Sequence, residues 1–292
     1  MNRIYYVALL VLVTFIWGGV TFPMIKVALA SVEPSPFLAL RFAISAALLL
    51  PFALRRRGSF SLTSSVYGLI SGAFLFAGYF FQTLGLDYTS PALSGIITGL
   101  YVILIPIFSL LILRAPVARM DIVASVLALT GLIVMSVTSL SSRSTFLGNM
   151  LTVACAVAYA LQTIYVSKYT YKVDSVTFTF YQMATVAALS SVFVPITGGE
   201  RFTVPGSYAW FAIAFTAVFA SVLAYYINTV ALRYIEPTAA GVIYTGEPVF
   251  AALTSYLFYG DAPGYLTLSG MALMVAAMLL TTLDKYIRSR VH

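Results

Sequence analysis

The sequence predicts an all-α integral membrane protein: ten transmembrane helices, arranged as two inverted five-helix repeats around a central cavity. Three observations predict it: the composition, ten long apolar runs joined by short polar connections, and an internal repeat five runs long. Of 292 residues, 61% are hydrophobic and only 9% charged, with a mean hydropathy of +0.98. A soluble domain is nearer half apolar and a quarter charged, and the excess apolar surface here requires lipid.

A membrane helix needs about 20 mostly apolar residues. Runs of that kind occupy 4–25, 35–54, 64–86, 91–113, 121–138, 147–167, 175–195, 208–231, 237–259 and 264–283. Strands of a membrane barrel would be about ten residues long and alternating, which these runs are not. The opening Met1-Asn2-Arg3 and the apolar run after it resemble a signal peptide, but no small-residue cleavage site follows, so the run is read as the first span. The expected organisation is a first five-helix repeat over 1–140, a second, inverted one over 145–285, and a tail over 286–292. The loops are short, with no Pro/Ser-rich linker and no room for a soluble domain.

Basic residues gather at cytoplasmic ends of membrane helices. With a cytoplasmic N-terminus, the inner segments hold Arg3, Arg55, Arg56, Arg57, Arg114, Arg119, Lys168, Lys172, Arg233, Lys285, Arg288 and Arg290, twelve of the 16 basic residues. Both termini are therefore expected in the cytoplasm. The same distribution accounts for the net charge of +7 without nucleic acid as a partner. The expected partners are the lipid bilayer and a small-molecule solute.

Several chemistries are poorly served. The one cysteine, Cys155, lies in an apolar run, and the one histidine, His292, is the last residue. No intrachain disulfide, thiolate metal cluster or His-ligated metal site is expected, and no cofactor. The sequence has no Gly-x-x-x-x-Gly-Lys-[Ser/Thr] loop, so ATP is not expected to drive it directly. A membrane enzyme would need a reactive constellation, and the sequence offers no Ser-His pair.

LDYTSPALSGII (86–97) and LRYIEPTAAGVI (232–243) align at a constant offset of 146: Leu86 with Leu232, Tyr88 with Tyr234, Pro91 with Pro237, Gly95 with Gly241 and Ile97 with Ile243. The same offset pairs Tyr79 with Tyr225 and Gln82 with Asn228, and an offset of 142 pairs Trp17 with Tyr159 and Lys26 with Lys168. Five spans is an odd number, so the second copy enters the membrane from the opposite side. Inverted repeats of this kind are a hallmark of secondary transporters, whose sites lie at the repeat interface near the midplane. Exchanging the roles of the halves converts an outward-open shape into an inward-open one.

With WGGVTFPMIK (17–26) in the first span, LRF (40–42) in the second and GEPVFAAL (246–253) in the ninth, the five-plus-five pattern resembles the drug/metabolite transporter superfamily. It is most similar to the EamA-type exporters and, among them, to the YddG-type amino-acid exporters of bacterial inner membranes. GDAP (260–263) departs from the family's usual Gly-Glu and polar turn. The resemblance implies export of small metabolites, amino acids with aromatic and other neutral side chains first, by alternating access. It also implies a cavity walled by the first, third, fourth, sixth, eighth and ninth spans. Export or passage of other organic metabolites or drugs, and a facilitative channel, are the alternatives, with a membrane enzyme or a structural subunit behind them; the sequence leaves open whether the molecule works alone or as a dimer.

Trp17, Tyr101, Tyr159 and Glu247 lie near the midpoints of four of those spans. Aromatic faces suit apolar side chains and attract an ammonium by cation–π contact. Thr98, Tyr244 and Thr245 are available as donors to a solute carboxylate, and Gln162 is a further polar group of the sixth span. Tyr79 and Gln82 share a face of the third span, as Tyr225 and Asn228 do on the eighth. They read either as symmetry-related cavity groups or as interhelical hydrogen bonds. Gly68-x-x-x-Gly72 and Gly95-x-x-x-Gly99 predict close helix packing, with sliding during alternating access as the functional alternative. Lys26 and Arg41, near span ends, are expected to snorkel as anchors, a site for the solute carboxylate being the alternative for each. A charge at the bilayer centre is costly enough to make Glu247 a functional candidate. Three roles stay open for it: pairing with a solute ammonium, carrying a coupling proton, or hydrogen-bonding at a bend set by Pro248.

Overall fold

The computed structural model describes residues 3–29, 31–56, 61–86, 88–89, 91–137, 145–193, 206–260 and 262–291. Among them no strand occurs. Ten membrane-crossing segments follow one another. The first combines α1 (Arg3–Thr14), a π-helical stretch (Phe15–Thr21) and α2 (Phe22–Ala28); the second is α3 (Pro34–Leu54) and the third α4 (Leu62–Leu86). The fourth is divided into α5 (Pro91–Gly99) and α6 (Tyr101–Phe108), ending in a π-helical turn (Ser109–Leu113). The fifth to seventh are α7 (Arg119–Ser136), α8 (Phe146–Tyr169) and α9 (Ser175–Phe193). The eighth runs from α10 (Ser207–Phe215) through a π-helical stretch (Thr216–Leu223) into α11 (Ala224–Ala231). The ninth is divided into α12 (Pro237–Tyr244) and α13 (Glu247–Tyr259), and α14 (Tyr265–Val291) is the tenth. Among the described residues nine of these segments are long and apolar enough to span a bilayer, the divided fourth included; the other is the divided ninth span.

The two divided spans are repeat mates, and so are their breaks. The interruption at Leu100 corresponds, at the offset of 146, to Gly246, and α6 and α13 both restart at the next residue. Both spans end in the left-handed conformation, at Arg114 (φ 52°) and Gly260 (φ 72°), again 146 apart. Glycine takes that conformation freely and arginine does not, so the same turn carries a steric cost only in the first copy.

Packing follows the same symmetry. The second span lies along the seventh, the fifth along the tenth, and α6 of the fourth against α12 of the ninth, each pair joining mates across a pseudo-twofold axis. Off the axis the contacts come in exchanged pairs: the third span packs on the sixth as the eighth packs on the first, and the sixth on the fourth as the first on the ninth. Glycine allows the fifth and tenth spans to cross closely. A Cβ at Gly131 would strike the Gly270 carbonyl, and one at Gly270 would strike the Gly131 carbonyl. Gly68 and Gly72 let the third span rest on Tyr181 and Thr185 of the seventh.

The first span starts and the tenth ends at one face, called here the terminal face. Arg3 pairs with Glu236 at 3.8 Å, Arg56 with Asp174 at 3.9 Å, and Arg233 donates to the Val173 carbonyl at 2.7 Å, so the loops after the second, sixth and eighth spans share that face. At the distal face, Thr145 at the start of the sixth span donates its N–H to Tyr88 O at 2.9 Å. Arg41 departs from the expected anchor: it is 2% exposed and donates through Nε to Ser221 Oγ at 2.8 Å. Its side chain is turned toward the eighth span and stacks over Phe42, so it has no path to the interface. The Lys26 side chain, with Arg57, Arg143 and Arg201, lies outside the described residues.

Candidate functional site

Glu247 owes its position to a break in the ninth span. Thr245 and Gly246 leave the helix, and Glu247 opens α13 with Pro248 in its first turn, where proline's missing N–H costs nothing. A carboxylate at a helix N-terminus also faces the positive end of the helix dipole. The first span passes directly over this turn, because a Cβ at Gly18 would collide with the Glu247 backbone carbonyl. The Trp-Gly-Gly stretch is therefore the half of the contact that makes room for the acid.

Glu247 borders a cavity of about 220 Å³ lined also by Gln82, Gly95, Thr98, Gly99, Tyr101, Leu132, Tyr244, Thr245, Pro248 and Ala251. A hole of about 150 Å³ already takes up benzene, so this one admits a small organic solute. Glu247 makes no hydrogen bond or ion pair with any described residue. The cavity reaches toward the distal face: Gly95 is exposed, and a side chain added there would meet nothing within 4 Å. The packing expected at Gly95 is therefore absent, because the helix opposite stands back across the cavity. Gly99 does pack, against Leu132.

Beside the cavity stands a ring of aromatics that follows the repeat. The Tyr79 and Tyr225 hydroxyls, mates on the third and eighth spans, bond to each other at 2.9 Å. Trp17 lies 5.0 Å from Tyr225 and its mate Tyr159 lies 5.9 Å from Tyr79, ring centre to ring centre. Trp17 Nε1 donates to Ala220 O at 2.9 Å, and Tyr159 reaches Gln82 Oε1 at 3.4 Å. These bonds fix the rings before any solute arrives.

Toward the terminal face the passage is shut. Tyr244 donates its hydroxyl to Asn228 Oδ1. Below that bond Tyr6, Val7, Leu10, Val166, Phe178, Leu232, Ile235 and Ile243 form one buried cluster. Thr170 Oγ1 donates to Thr229 O at 3.0 Å and accepts from Arg233 Nε at 3.3 Å. The sixth and eighth spans are thus tied together across the floor.

Of the polar and aromatic residues singled out in the sequence, the structure brings Gln82, Thr98, Tyr101, Tyr244, Thr245 and Glu247 to the cavity wall. Trp17, Tyr79 and Tyr159 form the aromatic ring next to it, and Asn228 and Gln162 lie buried on its closed side. Leu132 and Ala251 were not singled out; as apolar residues in apolar helices they carry no signal that separates a cavity wall from a lipid-facing surface. No group of described residues could hold a metal ion.

The EamA-like transporter model matches residues 4–137 and again residues 146–283. The chain belongs to the EamA-like transporter family. An "Uncharacterized transporter" of Archaeoglobus fulgidus is 31% identical over 97% of this chain and 87% of its own length. YvbV of Bacillus subtilis, also called an uncharacterized transporter, is 27% identical over 94% and 90%. The "Uncharacterized inner membrane transporter YedA" of Escherichia coli is 24% identical over 93% and 89%. A solved crystal structure superposes with a TM-score of 0.81 at 20% identity over 97% of both chains, which bears on the fold alone. The protein is thus a multi-pass membrane transporter of the EamA family, and its relatives carry the names of transporters rather than enzymes.

Proposed function

We propose that this EamA-family protein is a secondary transporter of the bacterial inner membrane that exports small amine-bearing metabolites by alternating access, amino acids with aromatic and other neutral side chains first. One observation carries the reading: a cavity with Glu247 on its wall is open on one side of the repeat interface, while the mate surface on the other side is closed. Glu247, with no partner of its own, is placed to pair with a solute ammonium, and Tyr101 and Tyr244 offer ring faces to an apolar side chain. Thr98 and Gln82 supply polar contacts to the rest of the solute. A continuous pore would need polar lining through the terminal half, where a buried apolar cluster stands instead, so carriage is favoured over a channel. Arg55, Arg56, Arg114, Arg119, Lys168, Lys172 and Arg233 share the terminal face, which favours placing both termini in the cytoplasm. The open cavity then faces outward. The name of the relative YedA also speaks for the inner membrane.

The test is counterflow. Proteoliposomes preloaded with unlabelled L-phenylalanine take up labelled L-phenylalanine, with and without a proton gradient, carrying wild type or Glu247→Gln. Transient accumulation by the wild type supports carriage of that class, and its absence for a panel of amino acids overturns the amino-acid reading. Retained exchange with a lost gradient response in Glu247→Gln assigns the proton to the acid; lost exchange assigns it to solute binding.

A further inference from the structure

Gln162 is 5% exposed, on the sixth span, and its Nε2 has no acceptor among the described residues. Gln182, as deep in the seventh span, differs in the donor: its Nε2 donates to Ser71 Oγ at 2.6 Å, and the atom left without a partner there is the acceptor Oε1. A buried amide donor left without an acceptor is costly, so position 162 carries a polar group that this closed arrangement does not use. Helical spacing shows where it faces. Cys155, Tyr159, Gln162 and Val166 share one stripe of α8. Cys155 Sγ lies 3.9 Å from Thr98 Oγ1 on the cavity wall, Tyr159 meets Tyr79 and Gln82, and Val166 packs in the floor cluster with Tyr244. Gln162 therefore sits between the cavity and its floor. The fold itself does not ask for an amide here: the repeat mate, at the offset of 142 that pairs Trp17 with Tyr159, is Val20.

Asn228 and Tyr244, bonded to each other in the floor, are the mates of Gln82 and Thr98, which line the open cavity. We infer that the closed half contains a second solute station, formed by Gln162, Asn228 and Tyr244 when the halves exchange roles, in which the Gln162 amide donates to the solute's carboxylate. The inference rests on the transporter reading above and adds to it a donor that works only while the passage is open to the terminal face. The solute it selects bears a carboxylate as well as an amine, which separates an amino acid from a simple organic cation.

Two readouts test it in one set of vesicles. In a Cys155→Ser background, which removes the chain's one cysteine, Gln162→Cys is exposed to a membrane-impermeant thiosulfonate from either face. Labelling from the terminal face, slowed by saturating L-phenylalanine, is the expected result. No labelling from that face, or labelling from the distal face alone, overturns the station. In exchange assays of reconstituted Gln162→Leu, the half-saturation concentration for L-phenylalanine on the terminal side rises on the order of tenfold, as loss of a hydrogen bond to a charged group predicts. The distal side stays within about twofold of wild type, and Gln162→Asn recovers part of the loss. An equal change on both sides marks a packing role and overturns the assignment. Labelling from the terminal face without any L-phenylalanine exchange by wild type overturns the amino-acid reading, and the station survives it only if another amine-bearing carboxylate that wild type does exchange slows the labelling.

Discussion

α12 and α5 begin at mated prolines, and their sequences align residue by residue, yet their surroundings are opposite. Every residue of Pro237–Tyr244 is buried. In α5, Ser94 and Gly99 are buried, but Gly95 is exposed and Ile96, Ile97 and Thr98 are half-buried. A Cβ at Gly241 would meet Ile105 Cδ1 at 2.8 Å, and one at its mate Gly95 would meet nothing within 4 Å. The two copies encode the same half-helix; the difference between them is the state of the molecule, closed on one side and open on the other.

Four measurements break or sharpen this comparison. The largest expected effect is in cysteine accessibility. With Cys155 replaced by Ser, Gly95→Cys reacts with an impermeant thiol reagent about 100-fold faster than Gly241→Cys, the ratio for a minor state populated near 1%. Equal rates would mean that the two half-helices exchange environments freely. Next comes overpacking. Gly241→Leu is forced against Ile105 and lowers stability by about 1–3 kcal/mol, whereas Gly95→Leu leaves the melting temperature in detergent near wild type while narrowing the mouth and slowing exchange. Equal melting losses would contradict the open space at Gly95.

The third concerns the floor latch. Tyr244→Phe removes the hydroxyl that Asn228 accepts and weakens the closed side by about 1 kcal/mol, raising the terminal-face labelling rate of Gly241→Cys several-fold. Thr98→Val, at the mated position, leaves that rate unchanged. The smallest effect is at the axis. Tyr79→Phe and Tyr225→Phe each delete the same hydroxyl–hydroxyl bond, so each costs about 0.5–1.5 kcal/mol and the two melting temperatures agree. A clear difference between them would show that the contact is not shared evenly by the halves.

Much of the fold was legible because burial in lipid leaves a coarse, long-range signature: ten apolar runs, an odd-numbered repeat and mated prolines. The details that escaped are rotational or local. Arg41 lies near a span end, which predicted snorkelling, but its side chain points at Ser221, and no linear sequence reveals that direction. Pro248 was one reason to look for a bend, and the break at Thr245–Gly246 falls in the turn between Tyr244, whose carbonyl Pro248 cannot bond, and Pro248 itself; the sequence did not show that the helix would stop and restart there. Glu247 stood out from the sequence because an acid in an apolar run needs a reason. Leu132 and Ala251 did not, because an apolar side chain looks the same whether it faces lipid, core or cavity.

By itself the sequence determined that the chain spans the membrane ten times, that its halves are inverted copies and that one acid lies at the centre of the ninth span. Transfer free energy and the parity of the repeat fix those facts without reference to contacts. Only the tertiary structure decided which side of the repeat interface is open, that the mated Tyr79 and Tyr225 hydroxyls bond across the axis, that the fifth and tenth spans cross at Gly131 and Gly270, and that the Gln162 amide is left without an acceptor among the described residues. Two mated sequences support either arrangement in isolation; packing of the whole bundle breaks the symmetry, because a cavity opened on one side of an axis is closed on the other by the same helices.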